Sequence, residues 1–282
     1  FAADWQRAEP LLRSAVQLAA GVHQERPSDT RARELLADGQ LLLGEILVNL
    51  GTDSAGEDYL EEATRRFGEL YSEGQDSYSI LESLATCWQE RGDRHRIRRE
   101  YMEATNDYET MLKYASELVA KFPLDSGAIM TMGSAHERLG LIARAEGRMS
   151  DALEHHERDL ELVELLRKNS PDIAITQWQA SFSYFNVASL CRASGNLQRA
   201  REQIEKCVDV RQAAVDSDSD NRRYRSKLVL ALRELTRICR EQEDVDRERE
   251  AVLLTRQHLQ VLQPDEPEQS IEDRWEQLRL VE

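Results

Sequence analysis

The chain has 282 residues and a mass of 32.4 kDa, enough for one long domain or two ordinary ones. It carries 53 Asp and Glu residues against 37 Lys and Arg residues, so its formal charge is −16. A phosphate backbone or an anionic lipid surface would repel a chain of this charge, and we expect neither nucleic acid nor membrane among its partners.

Composition favours helices throughout. Aromatic residues make up only 6% of the chain and there are six Pro, whereas the helix formers Ala, Leu, Glu, Arg and Gln are abundant. Apolar residues recur at helical spacing between the breakers, and no stretch demands a strand. In chain order the pattern predicts helices at about 4–25, 28–50, 57–73, 76–91, 94–121, 124–146, 149–168, 172–194, 197–216, 221–241 and 245–262, and a weaker one at about 269–280.

The helix breakers follow a period of about 48 residues, a length within the range of repeat arrays. Pro27, Pro123, Pro171 and Pro267 are separated by two, one and two such periods. A second series marks the middle of each unit at Gly51, Gly92, Gly147 and Gly195, with Glu243 at the place of a further breaker. Self-similarity at a fixed period is the mark of a repeat array of helix pairs.

A side-chain pattern accompanies the period. A large apolar and a small residue stand eight and seven residues before each central residue, as in Leu139-Gly140 and Val187-Ala188. After the centre an Ala follows an apolar residue by three positions, as in Met149 to Ala152, although about seven extra residues precede this Ala after Gly51 and Gly92. The small residues allow the two helices of a pair to approach closely.

This pattern resembles the tetratricopeptide repeat, which combines an apolar-Gly pair in one helix, Ala in the second and Pro at the end. The resemblance covers nearly the whole chain and is strongest in GRMSDAL from Gly147 and GNLQRAR from Gly195. It implies an all-α, right-handed αα superhelix with about five helix pairs and an N-terminal half-repeat over residues 1–264, followed by a tail at 265–282 that forms a short capping helix. Units of this length look like those beside kinase or protease domains in large bacterial signalling proteins.

The resemblance also implies where a ligand would lie, because such arrays bind peptides in the groove that the first helices line. Counting family groove positions from each apolar anchor selects the following candidates: Asp38, Glu45, Glu82, Glu137, Phe182, Phe185, Asn186, Arg233 and Arg237. We expect apolar ligand side chains against Phe182 and Phe185, basic groups toward the glutamates, and a carboxylate toward the two arginines. The alternative is that the charges are ordinary solvated ones and that both phenylalanines pack between units. Asn186 matches the Asn of family members that clamp a C-terminal carboxylate, but Leu230 and Glu234 stand where such a clamp needs basic residues, which excludes that ligand class.

We expect a scaffold that binds a protein or peptide in its groove. One alternative is a regulatory or structural module that controls an attached catalytic domain of the same polypeptide, such as a bacterial Ser/Thr kinase or protease. Another is a homodimer formed through the end that carries Trp275 and Leu278. The chain begins at Phe1 rather than Met and shows no signal-peptide pattern, so we expect an excised or processed segment.

No motif points to catalysis, a metal or a cofactor. The acidic run Asp216–Asp220 begins like a calcium loop, but Asn221 and Lys227 occupy the positions that need Gly and Glu, and a helix-capping turn is expected instead. The two His-Glu pairs at 136–137 and 156–157 lack the second His of a zinc-protease motif. The four Cys contain no C-x-x-C pair, which favours reduced, partly buried thiols in a cytoplasmic protein that is not an enzyme.

Overall fold

The computed structural model describes residues 2–51, 53–169 and 174–262, and these residues form eleven α-helices and no strand. The helices are α1 (Ala2–Glu25), α2 (Thr30–Asn49), α3 (Asp53–Ser72), α4 (Tyr78–Ile97), α5 (Tyr101–Lys121), α6 (Ser126–Ala145), α7 (Met149–Asn169), α8 (Ala174–Ala193), α9 (Leu197–Ser217), α10 (Arg222–Glu241) and α11 (Val245–Leu262). The all-α helix-pair architecture expected from the sequence is confirmed. The tail at 265–282, with its expected capping helix, lies outside the described residues.

Two kinds of helix alternate along the chain. We call α2, α4, α6, α8 and α10 the first helices, and they begin at Thr30, Tyr78, Ser126, Ala174 and Arg222. We call α3, α5, α7, α9 and α11 the second helices, and they begin at Asp53, Tyr101, Met149, Leu197 and Val245. Both series advance by the same number of residues at every step, which is the period of the repeat.

The chain forms two compact units, of which the first ends at Arg148 and the second begins at Met149. In the first unit each helix from α1 to α6 packs on the next in chain order, and α4 also contacts the first helices α2 and α6 on either side of it. Its core is apolar and continuous over several helices, with Phe67, Leu84, Tyr108 and Met111 almost fully buried. Burial of these side chains stabilises helices that would be marginal alone.

The second unit contains α7 to α11 and is built in the same way. Each helix packs on the next, and the first helices α8 and α10 contact each other. The core includes Tyr184, Val187, Ile204, Leu235 and Ile238, all with at most 1% of their surface exposed. Asn221 caps α10 by accepting from the Tyr224 amide at 3.2 Å, which confirms the capping turn expected after the acidic run.

The turn between a first and a second helix uses one residue with positive φ. These residues are Gly51, Arg99, Gly147, Gly195 and Glu243, and each lies one full period after the one before it. In four of the turns the next amide donates to the carbonyl five residues before it, as from Glu100 to His95 at 2.9 Å. This is the hydrogen bond of a Schellman C-cap, and it requires a left-handed residue before the donor.

The sequence-based assignment of Gly92 as a central turn residue is wrong. Gly92 lies buried inside α4, and the helix continues to Ile97, six residues beyond the expected end at 91. The break lies at Arg98–Glu100, where Arg99 adopts φ 63°. Arginine adopts this conformation at a cost that glycine avoids, which is why the sequence does not mark the turn.

Gly92 serves instead as the small residue at a helix crossing. A Cβ at Gly92 would lie 2.5 Å from the Tyr108 ring, and a Cβ at Gly44, one repeat earlier, would lie 2.6 Å from Leu60. Leu60 and Tyr108 are likewise one repeat apart, so the same contact recurs. With Arg99 as the centre, Ala104 follows after five residues, as Ala152 follows Gly147. The seven extra residues therefore disappear, and Gly56 rather than Ala63 takes this position in the first repeat.

Candidate functional site

Side chains on neighbouring first helices face each other in a constant register, and the two partners are 45 positions apart in the sequence. In the first unit Ser79 Oγ donates to Glu34 Oε1 at 2.5 Å, and Ser83 Oγ donates to Asp38 Oδ1 at 3.3 Å. Arg138 donates to Asp93 Oδ2 from Nε at 3.2 Å and from Nη2 at 3.1 Å. We call the surface formed by these facing side chains the first-helix face of each unit.

Glu45 is the most perturbed acid of the first-helix face in unit 1. Its side chain is half-buried, and burial together with the nearby Glu90 carboxylate raises its pKa to about 7. Glu90 lies on α4 in the same register, and burial raises its pKa as well. The pair places two carboxylates side by side in partly desolvated surroundings, which is a favourable setting for a cation.

Glu137 and Asp38 lie on the same face, and they too are partly buried carboxylates with raised pKa values. Burial raises the pKa of Glu137 although Arg138 opposes the shift, and burial raises that of Asp38, with Glu34 adding to the effect. Asp93 completes the acidic set on α4 and accepts from Tyr108 at 2.7 Å in addition to Arg138. The acidic character expected for this half of the groove candidates therefore corresponds to partly buried carboxylates rather than to fully solvated ones.

Glu82, the candidate expected on α4, lies one period after Glu34 of the first-helix face. Counting from Gly92 selects Glu82, whereas the helix starts put Thr86 and Asp93 of α4 at the positions of Asp38 and Glu45. Glu82 lies nearer the start of α4, where burial and Asp125 raise its pKa and Tyr78 lowers it. The regular spacing of the helix starts adds Glu90 and Asp93, which the groove positions counted from Gly92 do not include.

In the second unit an aromatic cluster occupies the first-helix face. Phe182 on α8 meets Trp178 edge-on at a centroid distance of 5.5 Å, and Trp178 lies 4.6 Å from Tyr224 of α10. Phe185 is half-buried and packs against the core cluster. Lys227 of α10 places its Nζ 5.5 Å from the Phe182 centroid, again in the register of the first unit.

A buried cation lies beneath these rings. Arg211 of α9 is 2% exposed, and its guanidinium carbon lies 5.4 Å from the Phe182 centroid and 5.1 Å from that of Phe185. It donates to Ser181 Oγ at 3.3 Å, to the Ser181 carbonyl at 3.3 Å and to the Lys227 carbonyl at 2.7 Å. Burial lowers the pKa of Arg211, and the described residues give it no carboxylate partner.

The two arginines of the candidate site differ in their surroundings. Arg237 Nη1 pairs with Glu234 at 3.3 Å, and Glu234 is buried between Arg237 and Arg192, whose Nε lies 2.8 Å from it. Arg233 is half-buried on α10 and forms no ion pair with a described carboxylate. Asn186 is half-buried on α8 next to Phe185. Arg233 is therefore the better placed of the two arginines to receive an external anion.

Features that would indicate a reaction centre are not seen in the described part of the chain. There, no group of three or more His, Cys, Asp or Glu side chains could hold a metal ion. The four Cys are buried free thiols, and burial raises their pKa, to about 12 for Cys87 and for Cys207. No described helix combines the length and apolar character that a bilayer crossing requires.

Comparison with known proteins agrees with this architecture. The sequence model of the tetratricopeptide repeat matches residues 183–213, which run from α8 through most of α9. The solved structure of BtubC (BKLC) from P. vanneervenii is similar with a TM-score of 0.68 at 15% identity, over 93% of this chain and 94% of that one. The S. pombe nuclear import adaptor Nro1 is similar with a TM-score of 0.61 at 13% identity, over 90% of this chain and 86% of that one. Comparison with curated protein sequences gives no match.

Helix pairs that alternate in this order, the repeat match at 183–213 and the similarity of fold over nine-tenths of the chain agree with one another. Residues 183–213 match the tetratricopeptide repeat, and the chain shares its helical fold with the similar solved structures.

Proposed function

We propose that this protein is an interaction scaffold whose first-helix faces bind segments of other proteins. The observation that carries the proposal is the constant register, which lines up partly buried polar and aromatic side chains across successive first helices. Such a surface offers an extended segment a series of contacts rather than one pocket. The similarity in fold to a nuclear import adaptor supports a role in protein binding.

In unit 1 the face suits a basic segment. Glu45 is half-buried, and the charged group that acts on it is another carboxylate, Glu90. A lysine or arginine side chain between them would relieve the repulsion and supply hydrogen-bond donors. Glu137, on α6 of the same face, extends the acidic surface.

In unit 2 the face suits an apolar group beside an acidic one. Phe182 and Phe185 supply partly exposed aromatic surface, and Arg233 is available on the neighbouring first helix. Arg237 contributes less than the sequence suggested, because it already pairs with Glu234. Binding of this kind needs no cofactor and no catalytic step, so we propose a protein that is not an enzyme.

Two alternative roles remain, a regulatory module and a self-association module. In a regulatory module, the ligand of the first-helix faces would be a segment of the same polypeptide, and the chemistry of recognition would be unchanged. Self-association through Trp275 and Leu278 lies outside the described residues.

The test is selection of a random displayed peptide library on the immobilised chain, followed by synthesis of the enriched peptides and measurement of their affinity. We expect each enriched peptide to bind at least one of two variants about tenfold or more weakly than it binds the parent chain. One variant, Glu45→Lys with Glu137→Lys, reverses the acidic face of unit 1, and the other is Arg233→Glu on α10.

Matched controls make the same charge changes on second helices. Glu103→Lys with Glu109→Lys alters two exposed positions of α5, and Arg249→Glu alters an exposed position of α11. We expect affinities within about twofold of the parent chain, because exposed charges away from a contact contribute little. The proposal fails if the library gives no enrichment, or if the second-helix variants weaken binding as much as the first-helix variants.

A further inference from the structure

Charge is distributed very unevenly over the first helices of unit 2. Together α8 and α10 carry eight basic side chains and two acidic ones, in a chain whose formal charge is −16. Seven of the basic residues lie on α10, and Arg192 is the one charged residue of α8. A positive surface of this kind within an acidic protein indicates a local preference for anions.

The two acidic residues do not neutralise this surface. Glu234 pairs with Arg192 at 2.8 Å and with Arg237 at 3.3 Å, and Glu241 pairs with Arg192 at 2.7 Å. Arg240 forms an ion pair with Glu248 of α11, with 3.0 Å between Nε and Oε1. The basic residues of α10 that form no ion pair with a described carboxylate are Arg222, Arg223, Arg225, Lys227 and Arg233.

Arg211 adds a positive charge whose position is fixed by hydrogen bonds. It is held under the face by three hydrogen bonds to neutral oxygens, two of which are the carbonyls of Ser181 on α8 and Lys227 on α10. Other second helices have apolar residues at this position, namely Phe67, Ala115 and Val163. A buried guanidinium without a carboxylate is costly to the fold, and an anion above it would offset part of that cost.

We infer that the α8–α10 face binds an acidic protein segment, with aspartate or glutamate side chains at Lys227 and Arg233 and an apolar side chain against Phe182 and Phe185. Arg211 contributes positive potential from beneath the rings and does not touch the ligand, because it is 2% exposed. The inference rests on the proposed function and specifies the ligand of its second unit.

The geometry sets the spacing of the acidic residues in the ligand. Lys227 and Arg233 are six residues apart on α10, or about 9 Å along a helix that rises about 1.5 Å per residue. A segment in the polyproline II conformation rises about 3.1 Å per residue with three residues per turn, so acidic residues three positions apart would lie on one side and match this spacing. One of the two intervening apolar residues would then lie over the phenylalanine rings. Because the cations lie within the segment's length, the ligand needs no free C-terminus.

The experiment uses the full chain and a fluorescently labelled peptide with acetylated and amidated ends. In the probe, glutamates three positions apart flank leucine and phenylalanine, and two further peptides carry glutamine or lysine in place of glutamate. We expect fluorescence anisotropy to show binding of the glutamate peptide at least about tenfold tighter than that of either substitute. We also expect its affinity to fall as ionic strength rises, because screening weakens attraction between partly exposed charges.

Variants locate the binding. Lys227→Glu with Arg233→Glu is expected to weaken the glutamate peptide about tenfold or more, whereas the matched pair Lys168→Glu with Arg249→Glu, at exposed positions of α7 and α11, changes it less than about twofold. Arg211→Met keeps the bulk of the side chain at a position that is apolar in other repeats, and a loss of roughly threefold is expected from the missing potential. Circular dichroism checks that each variant keeps its helices. If Arg211→Met loses them, the double variant Lys227→Glu with Arg233→Glu alone decides the test.

Three outcomes would overturn the inference. Equal binding of the glutamine peptide would make the face an apolar site, and equal effects of the α7 and α11 pair would place the binding elsewhere. Tighter binding of a single-stranded oligonucleotide to the same residues would make it a nucleic-acid site. In each of these cases the proposed scaffold could still select peptides from the random library, whereas failure of that selection would remove the scaffold itself.

Discussion

Gly92 has no room for even a methyl group. A Cβ at this position would lie 2.5 Å from Cε1 and 2.7 Å from Cδ1 of Tyr108, whose ring is fully buried between α4 and α5. We expect Gly92→Ala to lower the free energy of unfolding by about 1–2 kcal/mol, because the strain of overpacking exceeds the gain in helix propensity. Urea unfolding followed by circular dichroism measures the change.

Gly68 provides the matched control for this substitution. It lies inside α3, and a Cβ there would meet nothing within 4 Å. We expect Gly68→Ala to raise the free energy of unfolding by up to about 1 kcal/mol through helix propensity alone. Equal effects of the two substitutions would show that the contact with Tyr108 is not tight.

At the scale of helices, the contact of α2 with α4 makes stability depend on pH. Glu45 has an ordinary pKa of 4.5 when the chain is unfolded and a pKa of about 7 in the fold, where burial and Glu90 disfavour its charge. Below pH 4.5 the group is protonated in both states and costs nothing. As pH rises from 4.5 through about 7 the unfolded state loses the proton first, so the folded state is progressively destabilised.

Glu45→Gln removes this destabilisation. We expect no difference in the free energy of unfolding at about pH 4 and a variant that is more stable by about 1–3 kcal/mol above about pH 7. Urea titrations over this pH range measure the difference in the free energy of unfolding between variant and parent. For the control Glu109→Gln, on the exposed side of α5, we expect a difference that does not change with pH. If Glu45→Gln were equally stable to the parent at every pH, the carboxylate would be solvated rather than partly buried.

Most of the helices could be predicted from the sequence, because proline, glycine and polar turns end them and apolar residues follow a helical period. The boundary of α4 and α5 could not. Its turn uses Arg99 in a left-handed conformation, while the glycine nearby packs against Tyr108. One strict period counted from Gly51 would have selected residue 99, so the period was a better guide than the residue type.

The candidate site was only partly accessible from the sequence. Positions on first helices followed from the family's pattern, and they included Glu45, Phe182 and Arg233. Facing pairs such as Asp93 and Arg138 depend on how far one helix slides past the next, which sets the register between first helices. Arg211 was missed because it belongs to a second helix, and its guanidinium reaches the first-helix face only through the packing of α8 against α10. No pattern within one helix reveals such a contact.

At the scale of the whole chain, every Cys lies in a helical core, one in the first unit and three in the second. Cys87, Cys191, Cys207 and Cys239 are each at most 1% exposed. With a pKa of about 12, roughly one Cys87 or Cys207 thiol in ten thousand would be ionised at about pH 8, and burial raises the pKa of the other two as well. Both factors oppose attack on a disulfide reagent, because the thiolate is the nucleophile.

We therefore expect an aromatic disulfide reagent to release almost no thiolate dye from the native chain at about pH 8 and four equivalents after denaturation with guanidinium chloride. A variant with Glu109→Cys, exposed on α5, should add one equivalent that reacts at once in the native state. Mass spectrometry of the labelled peptides assigns each site. Rapid native labelling of any of the four Cys, at a rate near that of the introduced one, would mean that the helix pair around it opens far more readily than its burial implies.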